Sequence, residues 1–276
     1  MKKLLLWMMI AVIFPFSYSL AEDMNDRIIV IDGIPASTGE NDNREPYKPD
    51  HLAEAEKVPI DTDKRIVISE PEKYPFSAIA YIDVTPGCGH SGWYGTGFMI
   101  EKNLLMTAGH CLYCPECHAP AREIAFYFGY RNARNYIACN KGSNWRVYVS
   151  RQVAEGKDYQ MYDYAVFQLD EDIGKKTGYF KLRHDVPDAE LAGASFHVTG
   201  YRDGILRIDT DRVEPLNERY LIHYADTEAG NSGCPVYDDD YSVIAINTAE
   251  GNDGTRNYAV RITGDIYAMI EAYGKK

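Results

Sequence analysis

The apolar residues of this chain come in short bursts. Ser77–Val84, Gly97–Ile100, Ile124–Phe128, Arg146–Val149, Tyr164–Leu169, Ser195–Val198 and Val243–Ile246 are separated by turn-forming residues and are rich in β-branched and aromatic side chains. Short stretches of that kind form strands, whereas a helix needs apolar residues at every third or fourth position over a longer span. The 22 tyrosines point the same way, because such rings favour strands. Many short strands at regular spacing predict an all-β barrel or sandwich. The end of the chain breaks the pattern. After Thr263-Gly264-Asp265, the residues Ile266, Met269, Ile270 and Tyr273 recur at helical spacing, which predicts a C-terminal helix. A length of 276 residues suffices for one large domain or two modest ones.

The first 57 residues read differently. Lys2 and Lys3 precede an apolar run from Leu4 to Phe16, followed by Ser19-Leu20-Ala21 before Glu22. This predicts a signal peptide over 1–21 and export to the periplasm or the exterior, where disulfides can form. The run is too short to span a bilayer comfortably, and no later segment is apolar enough to do so, so no stable membrane insertion is expected. The competing reading is an uncleaved anchor. Residues 22–57 carry Pro35, Pro46, Pro49 and ten acidic against four basic side chains. Such a segment buries too little to offset its ordering entropy and reads as a propeptide or linker, although Arg27–Gly33 has the composition of one strand. A net charge of −12 excludes a general nucleic-acid role.

Three segments carry chemistry. In Gly230-Asn231-Ser232-Gly233-Cys234-Pro235-Val236 a serine sits between glycines. A hydroxyl nucleophile needs a base beside it and backbone N–H groups aimed at the charge that develops on the substrate oxygen, and glycines permit that tight turn. Read alone, the segment is equally a surface turn. In Met106-Thr107-Ala108-Gly109-His110-Cys111 a histidine, the natural general base near neutrality, follows a strand and a turn; six other histidines exist. In Tyr162-Asp163-Tyr164-Ala165-Val166-Phe167-Gln168-Leu169 an acid opens an apolar strand, where it can lie buried beside an imidazole and hold its tautomer. Asp158 and Asp170 precede no such run.

Together these segments resemble the chymotrypsin-like serine peptidases. Thr107–Cys111 is similar to their Thr-Ala-(Ala/Gly)-His-Cys motif and Gly230–Pro235 to their Gly-Asp-Ser-Gly-Gly-Pro motif, with Asn231 and Pro235-Val236 closest to the bacterial glutamyl endopeptidases. The chain order His, Asp, Ser is also that of this fold. The resemblance covers about 58–276 and implies two six-stranded antiparallel β-barrels, residues 58–178 and 179–276, plus the C-terminal helix. It implies His110, Asp163 and Ser232 as catalytic triad and the N–H groups of Gly230 and Ser232 as oxyanion hole. It implies protein or peptide substrates and no metal or cofactor; a monomer is expected, although no residue speaks to oligomeric state. It also places activation by cleavage between Lys57 and Val58.

For specificity the resemblance leaves two readings open. Thr227 falls where glutamyl endopeptidases contact a substrate carboxylate, while Asn247 replaces the histidine of their second contact. Asp226, six residues before Ser232, has the offset of the acid that selects basic residues in trypsin-like enzymes, and is otherwise a loop residue. Cys111 is usually disulfide-bonded in such proteins, but the partner position here is Gly95, leaving Cys88 as nearest candidate. Cys234 reads as a buried free thiol. Two rivals remain. Cys114-Pro115-Glu116-Cys117-His118 matches a c-type haem attachment pattern, or with Cys111 a zinc site, against a disulfide-rich insertion that could include Cys139. A binding protein on an inactive protease fold is the other.

Overall fold

The computed structural model describes residues 28–32, 63–141, 145–157, 159–251 and 254–274. The expected signal peptide, most of the expected propeptide and the Lys57–Val58 bond lie outside them.

The described residues form sixteen strands, β1 (Ile28–Asp32), β2 (Ile66–Val67), β3 (Ile79–Pro86), β4 (Trp93–Met99), β5 (Leu104–Thr107), β6 (Ala121–Phe128), β7 (Ala138–Asn140), β8 (Trp145–Ser150), β9 (Ala165–Leu169), β10 (Lys181–Leu182), β11 (Ser195–Arg202), β12 (Ile205–Pro215), β13 (Tyr220–His223), β14 (Pro235–Tyr237), β15 (Ser242–Glu250) and β16 (Asn257–Arg261). They form two sheets of eight. Every apolar stretch singled out in the sequence falls on a strand or at its end. The helices are short, α1 (Arg151–Glu155), α2 (Gly174–Thr177) and α3 (Asp188–Leu191), except α4 (Gly264–Tyr273), the helix predicted at the C-terminus.

The first sheet runs β1-β8-β9-β5-β4-β3-β6-β7. Its six central strands form the barrel-like half, flanked by β1 and β7. In the second sheet, β11, β12, β13, β16, β15 and β14 form a closed ring, since β14 pairs with β11 and β15 with β16. Closure leaves no unpaired edge in that ring. The strands β10 and β2 are added outside it, on β15 and β12. The two six-stranded halves expected from the resemblance are therefore present as barrel-like sheets, each carrying two extra strands. One of these, β1, is paired antiparallel along β8 from Ile28 opposite Ser150 to Asp32 opposite Arg146.

The tyrosines join the halves. Tyr81 of β3 stacks on Tyr130 at 4.8 Å and meets Tyr201 of β11 edge-on at 5.7 Å. Each such contact contributes about 0.5–1.5 kcal/mol beyond area burial. The Tyr201 hydroxyl, fully buried, accepts from the Tyr130 amide at 3.2 Å, so its polar end is satisfied. The last helix, α4, leaves the second sheet and packs back on the first, where Tyr273 stacks on Tyr148 at 5.1 Å. No helix among the described residues is long and apolar enough to cross a membrane.

Candidate active site

Strand register brings the acid and the base together. In the β5–β9 pair, Thr107 lies opposite Ala165. The chain leaving β5 and the chain entering β9 therefore emerge side by side at one end of the sheet. The first coils into a short 3-10 turn, Gly109–Leu112, that contains His110. The second passes through Asp163, whose backbone (φ −80°, ψ 69°) and the Tyr164 N–H to Tyr162 C=O bond of 2.9 Å make an inverse γ-turn. Asp163 then holds His110 twice. Its Oδ1 accepts the His110 amide at 2.7 Å and its Oδ2 lies 2.6 Å from Nδ1. The carboxylate side chain is 4% exposed, whereas the imidazole is 33% exposed. Burial disfavours an imidazolium here, but the adjacent carboxylate outweighs it and holds the His110 pKa well above the ordinary value.

Ser232 stands on the turn between β13 and β14, pressed against the first sheet. The Ser232 carbonyl accepts the Thr96 amide at 2.9 Å and lies 3.8 Å from Cys111 Sγ, the residue after His110. Thr96, buried on β4, also donates its hydroxyl to the Gly230 carbonyl at 2.8 Å and accepts from the Tyr201 amide at 2.9 Å. Gly230 and Gly233 have φ of +98° and +85°. A Cβ on Gly233 would lie 2.1 Å from Thr107 Oγ1, and one on Gly230 would lie 2.3 Å from the Tyr94 ring. Both conformation and space demand glycine. Neither the Gly230 nor the Ser232 N–H finds an acceptor among the described residues.

A buried polar network supports this turn from behind. Asn231, 3% exposed, accepts on Oδ1 from the Glu228 amide at 2.9 Å and from the Arg65 guanidinium at 3.2 Å, and donates to the Tyr201 carbonyl at 3.1 Å. The Arg65 side chain is 4% exposed and forms ion pairs with Asp63 and Glu228; its bonds to Asp63 pull that carboxyl down to about 2. Asn247 of β15 donates to the Asn231 carbonyl at 3.0 Å and accepts from His223 Nε2 at 2.9 Å. Desolvation of the fully buried His223 lowers its pKa to about 4 against the Asn247 bond, so the ring is neutral.

The residues expected at the substrate take varied positions. Thr227 is half-buried in the loop leading to Ser232. Asp226 is half-buried and its Oδ2 accepts the Lys64 amide at 2.8 Å. Asn247 has both ends of its amide engaged in the network just described. Arg65 and His223 were not singled out from sequence. The only hint of either was a histidine on an apolar strand nine residues before Ser232.

All six cysteines are unbridged among the described residues. A Cβ at Gly95 would lie 3.0 Å from Cys111 Sγ and 3.9 Å from its Cβ; Gly95 thus occupies the partner position of a disulfide. Cys88 lies instead beside His90, Cys114 and Cys117. Cys139 is on β7. Burial raises the pKa of the Cys234 thiol and keeps it protonated. His118, the residue a haem-attachment pattern would direct at iron, stacks on Tyr113 at 4.4 Å, with Nε2 3.3 Å from the Ala154 carbonyl.

Two β-barrels that enclose a carboxylate-bound histidine at one rim and a glycine-flanked serine turn at the facing rim define a chymotrypsin-like serine peptidase. The comparisons agree: residues 95–246 match the trypsin-like peptidase domain, and the chain belongs to that family as a serine endopeptidase. It is 29% identical over 79% of its length to an extracellular metalloprotease of Bacillus subtilis, covering 70% of that protein. It is 28% identical over 76% of its length to a glutamyl endopeptidase of Bacillus licheniformis, covering 67% of it. Among solved structures, a Glu endopeptidase in complex with MPD superposes with a TM-score of 0.65 at 23% identity, over 78% of this chain and 98% of that one. The protease Anisep of Arthrobacter nicotinovorans superposes with a TM-score of 0.59 at 19% identity, over 72% and 96%.

Proposed function

We propose that Ser232, His110 and Asp163 form the catalytic triad of a secreted or periplasmic endopeptidase. The 2.6 Å contact between Asp163 and the His110 ring carries the reading. It directs Nε2 away from the acid, as a base for the Ser232 hydroxyl requires. Ser232 Oγ attacks the peptide carbonyl as His110 takes its proton, and the tetrahedral oxyanion is held by the N–H groups of Gly230 and Ser232. The C–N bond then breaks as His110 returns that proton to the leaving amine. Water attacks the resulting acyl-enzyme by the same route. A fluorophosphonate probe should label the wild-type chain and fail to label Ser232→Ala. An unlabelled wild-type chain would instead support an inactive scaffold, or, with peptide hydrolysis abolished by chelators, the metal-dependent chemistry in the name of the B. subtilis relative.

The preferred P1 residue is acidic. The relatives named as glutamyl endopeptidases support this, as does Thr227 beside the nucleophile turn. Asp226, the acid that would select Lys or Arg, already accepts a backbone amide. On P1-varied peptides, Glu or Asp should exceed Lys or Arg by about tenfold or more in kcat/KM; a basic preference would overturn the reading. Export through the 1–21 signal and cleavage before Val58 complete the proposal, with the barrels over 58–178 and 179–276. Cleavage there would detach β1 covalently from the strand it lines, β8. N-terminal sequencing of the secreted protein should begin at Val58.

A further inference from the structure

A group of soft ligands lies outside the cleft. The turn between β3 and β4 carries Cys88 and His90, and the loop between the His110 turn and β6 carries Cys114 and Cys117. One ligand atom from each of the four lies within 4.8 Å of all the others. His90 Nδ1 is 3.6 Å from Cys88 Sγ and 3.3 Å from Cys114 Sγ. Metal–ligand bonds of about 2.0–2.3 Å in a tetrahedron put neighbouring ligand atoms roughly 3.5 Å apart, and these separations match.

The surroundings are those of a metal-bound histidine. The far nitrogen, His90 Nε2, faces Glu116 Oε2 at 3.4 Å. A carboxylate there fixes the ring and leaves Nδ1 free to ligate. The Cys114–Cys117 turn is closed by the Cys114 amide bonding the Ala119 carbonyl at 2.8 Å and the His118 amide bonding the Cys114 carbonyl at 2.9 Å. His118 itself is turned onto Tyr113. The ligand set is therefore not the contiguous group Cys111, Cys114, Cys117 and His118 considered from sequence, but one assembled across two loops.

We propose that Cys88, His90, Cys114 and Cys117 bind one zinc ion as a closed structural site. Three thiols and an imidazole select zinc over the hard, oxygen-seeking cations. On binding, the three thiol protons go to solvent and the Zn²⁺ thiolate centre carries a net charge of −1. The ion joins two loops that no disulfide links, and its second half begins four residues after His110 (114 − 110). It thus braces the His110 turn from outside the cleft.

The test uses the full chain, as wild type and as Ser232→Ala to prevent self-digestion, expressed with zinc. Elemental analysis should give about one zinc per chain. Cobalt exchanged for zinc should show tetrahedral d–d bands together with thiolate-to-cobalt charge transfer. Cys114→Ser and Cys117→Ser should lose most of the zinc, Cys139→Ser should keep it, and Glu116→Gln should weaken zinc binding about tenfold. If a cysteine variant fails to fold, the cobalt spectrum of the wild-type chain decides alone. A metal-free wild-type chain whose intact mass shows a disulfide among Cys88, Cys114 and Cys117 would overturn the proposal, as would a cobalt spectrum with no thiolate band. These readouts do not depend on Ser232, so they stand or fall apart from the catalytic reading.

Discussion

The two barrels hold their share of the site by opposite means. In the first, His110 and Asp163 are placed by the register of β5 and β9, strands whose residues are almost wholly buried and apolar. In the second, Ser232 sits on a turn with no strand register of its own. It is held by polar groups: Thr96 in front, and Asn231, Arg65, Asn247 and His223 behind. Apolar packing carries no titratable group, whereas a buried polar network is worth most when every member is satisfied and weakens when one is not. The strands that place His110 should therefore be hard to displace, and the turn that carries Ser232 should be the less robust of the two supports.

The strongest break in this contrast is Asp163→Asn. It keeps the packing of the first barrel but removes the negative charge beside His110, and kcat should fall by about four orders of magnitude. The rate also reports the imidazole. Because Asp163 holds the His110 pKa up, wild-type activity should rise with pH above the range of an ordinary histidine, as the ring becomes neutral and able to act as base. In Asp163→Asn that limb should move to lower pH. A profile that does not move would separate Asp163 from the base.

His223→Gln tests the second barrel. The folded-state pKa of about 4 lies below the ordinary value of 6.5. The unfolded chain therefore binds more protons between these values, and stability should fall as pH drops through that window. The total loss is roughly 3 kcal/mol. Glutamine can still donate to Asn247 without titrating, so urea unfolding of the variant should be flatter across the window. Equal pH slopes for the two proteins would remove His223 from the network.

The smallest effect expected is that of Arg65→Ala. Losing the guanidinium loosens Asn231 and the N–H groups beside Ser232, so kcat should drop about tenfold with KM little changed. Arg65→Lys should restore part of it. A change confined to KM would mean that Arg65 touches substrate rather than positioning the turn.

What could be read from the sequence follows the same division. The strands were legible because strands buried on both faces read as short apolar runs, rich in β-branched and aromatic residues, between turn formers. The His110, Asp163 and Ser232 segments were legible because each carries its chemistry within a few consecutive residues. The support behind Ser232 was not. Arg65 meets Asn231 across 166 positions and His223 meets Asn247 across 24, and no local pattern announces either. Asn247 shows the cost of reading one position alone: as a counterpart of a substrate-binding histidine it looked available to substrate, but its amide is committed on both ends. The strand at 28–32 was visible, but its place on the edge of β8 depends on a pairing across 122 positions (150 − 28), with Ile28 opposite Ser150.

Thr96 limits how this cleft can move. Its single hydroxyl is shared between the Gly230 carbonyl and the Tyr201 amide, both across the seam, and its amide is fixed to Ser232. Swinging the barrels apart like jaws would strand several buried dipoles at once, at roughly 1–3 kcal/mol each. Hinge rotation of the halves is thus the most costly way to admit a polypeptide, and entry is left to the loops at the rim.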